Sequence, residues 1–277
     1  MPDIRSLPDL VAKLRLDIDI NFLVALAGLI LARTVPLVVL SPIFGGRTLP
    51  GQHKIGLAMI LVLVLYPCVS PIVRGNLPTQ GIAYWGLVLK ELGIGSLLGF
   101  LSSLVFMAIE SAGNLIDVQR GTQQASVLVP QLDVQGPVFA NLHIQLATVL
   151  FFSLNLHHLY LKGYFQSFEL LPVNQYPSFS EHFQTFITQT IHMSGNIFAV
   201  SLQLTAPIVL AIFMVDVVMG LMNRIAPMVQ VYFLAMPFKA VVGIIMFVLS
   251  FGYILKYMGV LFGDMLRQLR ILLTYLG

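Results

Sequence analysis

Glu110, Asp117 and Asp216 are carboxylates set in apolar surroundings, within "ESAGNLIDVQRG" and "MVDVVMG". Asp117 and Asp216 are the pair from which an aspartyl intramembrane protease would be built, because two close carboxylates share a proton and activate water. Neither stands in a Gly-x-Gly-Asp context, which counts against that chemistry. The same three acids at membrane midplane would suit a secondary transporter that binds protons or substrate, but such folds carry internal inverted repeats and none is visible here. His157 and His158 are adjacent, so a helix points them about 100° apart, a poor arrangement for a shared metal ion. No Gly-rich phosphate loop and no Gly-x-Ser-x-Gly elbow occurs. Cys68 is the only cysteine, which excludes disulfides and Cys-based metal sites within the chain. The expectation is a protein without catalytic residues, metal or cofactor.

The spacing of the polar residues points instead to contact surfaces. Glu110 and Asp117 are seven residues apart and so share one face of a helix, followed by Gln119 and Arg120. Asp216, Asn223 and Arg224 share another face at spacings of seven and eight. Arg33, Lys239 and the Lys90/Glu91 pair are further charges inside apolar runs. A charge at a lipid-facing helix centre costs about 2.5 to 3.5 kcal/mol on insertion scales. These groups are therefore expected to find partners within the fold or across subunit contacts, with an ion pathway as the functional alternative.

The elements that must position them are transmembrane helices. Of 277 residues, 57% are hydrophobic and only 10% charged, and the mean hydropathy is +0.89, whereas soluble domains carry about 25% charged residues. Residues 55–73 and 92–109 are charge-free runs near the roughly 20 residues of a spanning helix, without the alternation of an outer-membrane barrel. The net charge of +3 is too small and dispersed for nucleic-acid binding. Residues 1–19 form a charged N-terminal extension, with no basic n-region leading to a cleavage site, so no cleaved signal peptide is expected.

Six apolar stretches follow, at about 20–44, 55–73, 82–116, 138–161, 186–222 and 228–262. The third, fifth and sixth run to about 35 residues, some 50 Å as helix against a hydrocarbon core of about 30 Å. They must break or rise out of the bilayer against other protein. Gly93, Gly95 and Gly99, Pro207, and Pro237 are the expected break points, and carbonyls freed by proline must be satisfied by neighbouring protein. Lysine and arginine divide almost evenly between the two sides of six simple crossings, so orientation is left open.

One connection differs from the others. "DVQRGTQQASVLVPQLDVQGPVF" (117–139) is too polar at 119–124 to span lipid and too apolar at 127–129 to hang in water. Irregular backbone of that kind is tolerated at membrane depth where it lines or plugs a water-filled cavity; an ordinary re-entrant or amphipathic connector is the alternative. Gly121 and Gly136 bracket the segment, and Pro130 and Pro137 oppose a continuous helix. Within it Val127, Leu128, Val129 and Leu132 are apolar, while Gln119, Gln123 and Gln124 offer uncharged hydrogen bonds.

"SPIFGGRTLPGQHKIGLAM" after a helix carrying Arg33, "ESAGNLIDVQRG", "LNLHHLYLKGYFQSFELLPV" and "GLMNRIAPMVQVYFLAMPFKAVVG" occur in the order and spacing of the FliR/SctT family. The chain resembles these export-gate subunits of flagellar and virulence type III secretion systems over about 20–262. The resemblance implies an all-α, multi-pass protein of the bacterial inner membrane, one export-gate domain over 1–277, whose long broken helices pack in a hetero-oligomeric helical assembly. It implies partners of the SctR/FliP and SctS/FliQ types and an SctU/FlhB-like switch protein, with unfolded secreted proteins as cargo. It also implies that 119–137 enters the channel as a plug, and that 223–239 is a break between helices where Arg224 and Lys239 are paired or hydrated. Flagellar members are expected to carry Asp directly before the plug proline; here Val129 precedes Pro130, and Asp133 comes later. With the charged extension, this leans toward the virulence type.

Overall fold

A computed structural model of the protein describes residues 20–46, 49–73, 77–78, 81–121, 137–176, 182–226 and 231–276. Among these the chain forms eight α-helices and no strand: α1 (Ile20–Leu40), α2 (Gly51–Val73), α3 (Ile82–Gln119), α4 (Val138–Ser153), α5 (Leu156–Leu170), α6 (His182–Gly195), α7 (Ile197–Ile225) and α8 (Val231–Leu276). A helix satisfies its own backbone, so apolar runs can enter lipid in no cheaper form. Five stretches are long and apolar enough to cross a membrane, and six if α4 and α5, bent by 75°, form one crossing. The protein is a multi-pass membrane protein.

α3 is the spine. It packs along α1, α4 and α7 and touches α8, while α7 and α8 pack against each other and α2 lies on α1. In the most apolar windows, 50% of α1 and 56% of α3 is buried, against 22% in α2, in the α6–α7 stretch and in α8. The first two form the core, and the others turn most of their apolar surface outward.

The expected break points are corrected here. Gly93, Gly95 and Gly99 lie inside the continuous 38-residue α3. A Cβ on Gly95 would collide with the backbone of Arg33 in α1, and one on Gly99 would meet Leu37 and Pro36 at 3.1 Å. Gly95 and Gly99 thus form a small-xxx-small contact that lets two backbones approach; helix propensity yields to packing. Pro207 and Pro237 also lie within continuous helices. Proline removes the N–H that would bond the carbonyl four residues earlier, here that of Gln203, and the Tyr253 hydroxyl of α8 donates to that carbonyl at 3.0 Å. The expectation that neighbouring protein satisfies the freed group is met at this position.

The sharp bend, 75°, lies between α4 and α5. Asn155, between α4 and α5, sits at φ +56° in the left-handed region that Asn tolerates better than most residues. Asn196 separates α6 from α7. At 38 and 46 residues, α3 and α8 would measure about 57 and 69 Å at 1.5 Å per residue. Both are longer than the roughly 30 Å hydrocarbon core is thick.

Gly95 and Gly93 provide a matched test. Leucine at 95 forces α1 and α3 apart at a backbone contact, whereas a Cβ at 93 has nothing within 4 Å. Gly95→Leu is expected to lower stability by about 3 kcal/mol or more, at or above the upper end of overpacking costs, and Gly93→Leu to be tolerated. Thermal unfolding in detergent measures both.

Candidate functional site: two acidic anchors on the spine helix

Arg33 is completely buried. A guanidinium has five N–H donors and no acceptor, so burying it requires five acceptors. It has them. Nε and Nη2 grip both carboxylate oxygens of Glu91 from α3, the second at 3.0 Å. Nη1 donates to the carbonyl and hydroxyl of Ser167 at 2.8 and 3.1 Å, and Nη2 also donates to the Leu171 carbonyl at 2.8 Å. The guanidinium carbon stands 4.1 Å from the centroid of the Phe168 ring, at cation–π distance.

Lys90 completes the arrangement. Its ammonium lies 2.6 Å from Glu91 and donates to the carbonyls of Pro172, Val173 and Gln175 at 2.9, 3.2 and 2.9 Å. Two cations therefore meet the carbonyl end of α5 and the turn after it, where orphan C=O groups and the helix dipole favour positive charge. Thr34 adds a 2.6 Å hydrogen bond to the Tyr164 hydroxyl. Arg33 and the Lys90/Glu91 pair, separate candidates in the sequence, are one cluster joining α1, α3 and α5.

The second anchor is Asp117, also fully buried. Its Oδ2 accepts the backbone amides of Phe139 and Ala140 at 2.9 and 3.1 Å. These are among the first amides of α4, which lack intrahelical partners, so the carboxylate caps that helix from outside and meets the positive end of its dipole. Gly113, one turn earlier on α3, lets the backbone of Phe139 and Ala140 come close. Arg120 lies 4.7 Å from the Phe139 ring centroid and covers Gly243 of α8. Phe139 packs edge-on against Phe247 of α8 at 5.2 Å. The ends of α3 and α4 are thus tied together at the base of the segment between them.

Of the residues expected in that segment, Gln119 ends α3 half-buried, and Gly121 follows at φ +75°, a conformation glycine adopts without strain. Gln123, Gln124, Val127, Leu128, Val129, Pro130 and Leu132 lie outside the described residues. Asp216 of α7 is salt-bridged to Lys239 of α8, both partly exposed. Asn223 and Arg224 are exposed in the last turns of α7, where an arginine suits the dipole. Glu110 is half-buried on α3. The rings of His157 and His158 lie 4.1 Å apart between centroids, tilted by 37°.

Asp117 and Asp216 therefore serve different partners, helix amides for the first and Lys239 for the second. Sequence reasoning missed the backbone carbonyls around Arg33 and the amides under Asp117, because main-chain groups carry no residue signal. The four-residue spacing of Gly95 and Gly99 was the one available pointer to the close contact.

The amino-acid sequence matches one group of known proteins. The profile described as "Bacterial export proteins, family 1" matches residues 24–265. The flagellar biosynthetic protein FliR of Bacillus subtilis is 31% identical over 251 residues, 90% of this chain and 95% of the relative. The Yop proteins translocation protein T of Yersinia pestis is 31% identical over 226 residues, 80% of this chain and 84% of the relative. The secretion system apparatus protein SsaT of Salmonella typhimurium is 26% identical over 175 residues, 63% and 66%.

An anchoring carboxylate and a titrating one respond differently to amidation. Asparagine keeps an acceptor oxygen for the α4 amides, so Asp117→Asn is expected to cost well under 1 kcal/mol, whereas Asp117→Ala costs about 1 to 2 kcal/mol as caps do. Thermal stability of the purified protein measures the order. Limited proteolysis within 119–137 should rise for the alanine variant alone.

Proposed function

The chain belongs to the bacterial export proteins, family 1, components of the flagellar and type III secretion export apparatus, and from that premise we propose that it helps close the protein-export gate. In this reading the protein has no catalytic role. It joins SctR/FliP-like and SctS/FliQ-like subunits in a helical assembly at the bacterial inner membrane, in contact with an SctU/FlhB-like switch protein. Residues 119–137 act as a plug, and unfolded polypeptide passes when the plug is displaced.

The observation that carries this reading is the Asp117 clamp. It returns both ends of the 119–137 segment to one point, between α3 and α4 and against α8. A segment held at its base and free of charge at 121–132 suits a seal that moves without chemistry. Val127, Leu128 and Val129 supply the apolar cluster with which a constriction excludes water. Asn223 and Arg224, exposed at the end of α7, supply subunit contacts.

The virulence-type assignment belongs to the same proposal. It rests on Val129 before Pro130 and on the charged 1–19 extension. The relatives include flagellar and virulence proteins at equal identity, so identity does not separate them. Complementation of a flagellar null strain and of a virulence-secretion null strain tests it, with rescue of secretion expected in the second.

Two experiments test the gate. Extracted alone, the protein is expected to aggregate, because its polar and apolar outer faces are uncovered; co-expressed with the two smaller subunits it should yield a stable complex. Deleting residues 126–132 should leave that complex assembled and make cells leak a small dye or ions while secretion is idle. Unchanged leakage with assembly confirmed would assign the seal to another subunit.

A further inference from the structure

A cavity of about 230 Å³ opens between α5 and the C-terminal part of α8, floored by Leu37 of α1 and Leu98 of α3. The hydroxyls of the two tyrosines that line it are already used: Tyr160 donates to Ser102 at 3.2 Å and Tyr164 shares a hydrogen with Thr34 at 2.6 Å. They present ring surface to the cavity, whose lining is otherwise mostly leucine, with Gln166 as a further polar side chain. Gly163, inside α5, forms part of its wall, and a Cβ there would meet nothing within 4 Å. The slot is thus open where a side chain is missing from a helix, a position at which glycine is otherwise unfavourable.

Arg267 and Arg270 line the same cavity and are both exposed. Three residues apart, they share one face of α8. Arg267 pairs with Asp264 at 2.9 Å, but that bridge is exposed and of the kind that contributes little. An occupant must then combine an apolar tail with an anionic, oxygen-rich head. At roughly 30 Å³ per water-sized group, 230 Å³ takes about eight methylenes, part of one acyl chain. Basic pockets between membrane helices hold anionic head groups, and the guanidinium fork matches phosphate.

We infer that this cavity binds one anionic phospholipid, with an acyl chain in the slot over Gly163 and its phosphate on Arg267 and Arg270. The inference is independent of the gate reading. The test uses the full chain, together with any membrane proteins that co-purify with it, delipidated in mild detergent. It is equilibrated with dioleoyl phosphatidylglycerol or dioleoyl phosphatidylcholine and observed by native mass spectrometry. Wild type should hold one phosphatidylglycerol per chain at about tenfold higher affinity than phosphatidylcholine. Gly163→Leu, which fills the slot, and the double variant Arg267→Gln/Arg270→Gln should each lose about tenfold or more in phosphatidylglycerol binding. Millimolar inorganic phosphate should not displace the lipid. Equal binding of the two lipids, undiminished binding in both variants, or displacement by phosphate would overturn the inference. So would a lipid-free slot in the assembled complex. If Gly163→Leu does not fold, the arginine variant decides.

Discussion

Burying Arg33 constrains more of this molecule than any other interaction. A guanidinium removed from water must have its donors met, and losing the carboxylate paired with it would cost about 3 to 5 kcal/mol. Its five acceptors come from Glu91 on α3 and from Ser167 and Leu171 at the end of α5, so α1, α3 and α5 must meet at one point or not at all. Replacing such a pair with apolar residues often leaves stability unchanged or higher. What the cluster supplies is register: a helix sliding by one turn would orphan the charge.

The spine helix uses one device twice. Glu91 and Gly95 are four residues apart on α3 and face α1, the acid holding the arginine and the glycine making room for its backbone. Gly113 and Asp117, again four apart, face α4, the glycine making room for its first turn and the acid capping it. Residues at i and i+4 lie one above the other on a helix face. Close approach and charge satisfaction are therefore delivered to the same neighbour. Without the glycine the acid could not reach; without the acid the approaching polar groups would be buried unmet.

Away from these anchors the chain is less self-sufficient. Leu63 of α2, Leu249 of α8 and Ile225 of α7 are exposed at 75%, 73% and 83%, among many large apolar residues on the outer helices. Surface of that extent belongs against lipid or other subunits, which agrees with a family whose members work within an export apparatus. The hydrogen-bonded junction of α1, α3 and α5 and the tied base of 119–137 lie inside those outer faces.

Much of this was legible in the residues alone. Composition and run length decide that the chain is helical and membrane-embedded, because lipid admits no other economical backbone for 57% hydrophobic residues without alternation. The burial of Arg33, Asp117 and the Lys90/Glu91 pair follows from the cost of showing charge to hydrocarbon, and four motifs in register pointed to the family. The sequence could not say that Arg33 takes Glu91, 58 residues away, or that Asp117 takes amides 22 and 23 residues on. Nor could it say that Gly95 and Gly99 join helices instead of breaking one. Those outcomes depend on which faces meet, and glycine has the same local propensity whether it faces empty space, as at Gly93, or another backbone, as at Gly95. Only tertiary packing distinguishes the two, since a missing side chain acquires meaning from the atoms that occupy its place.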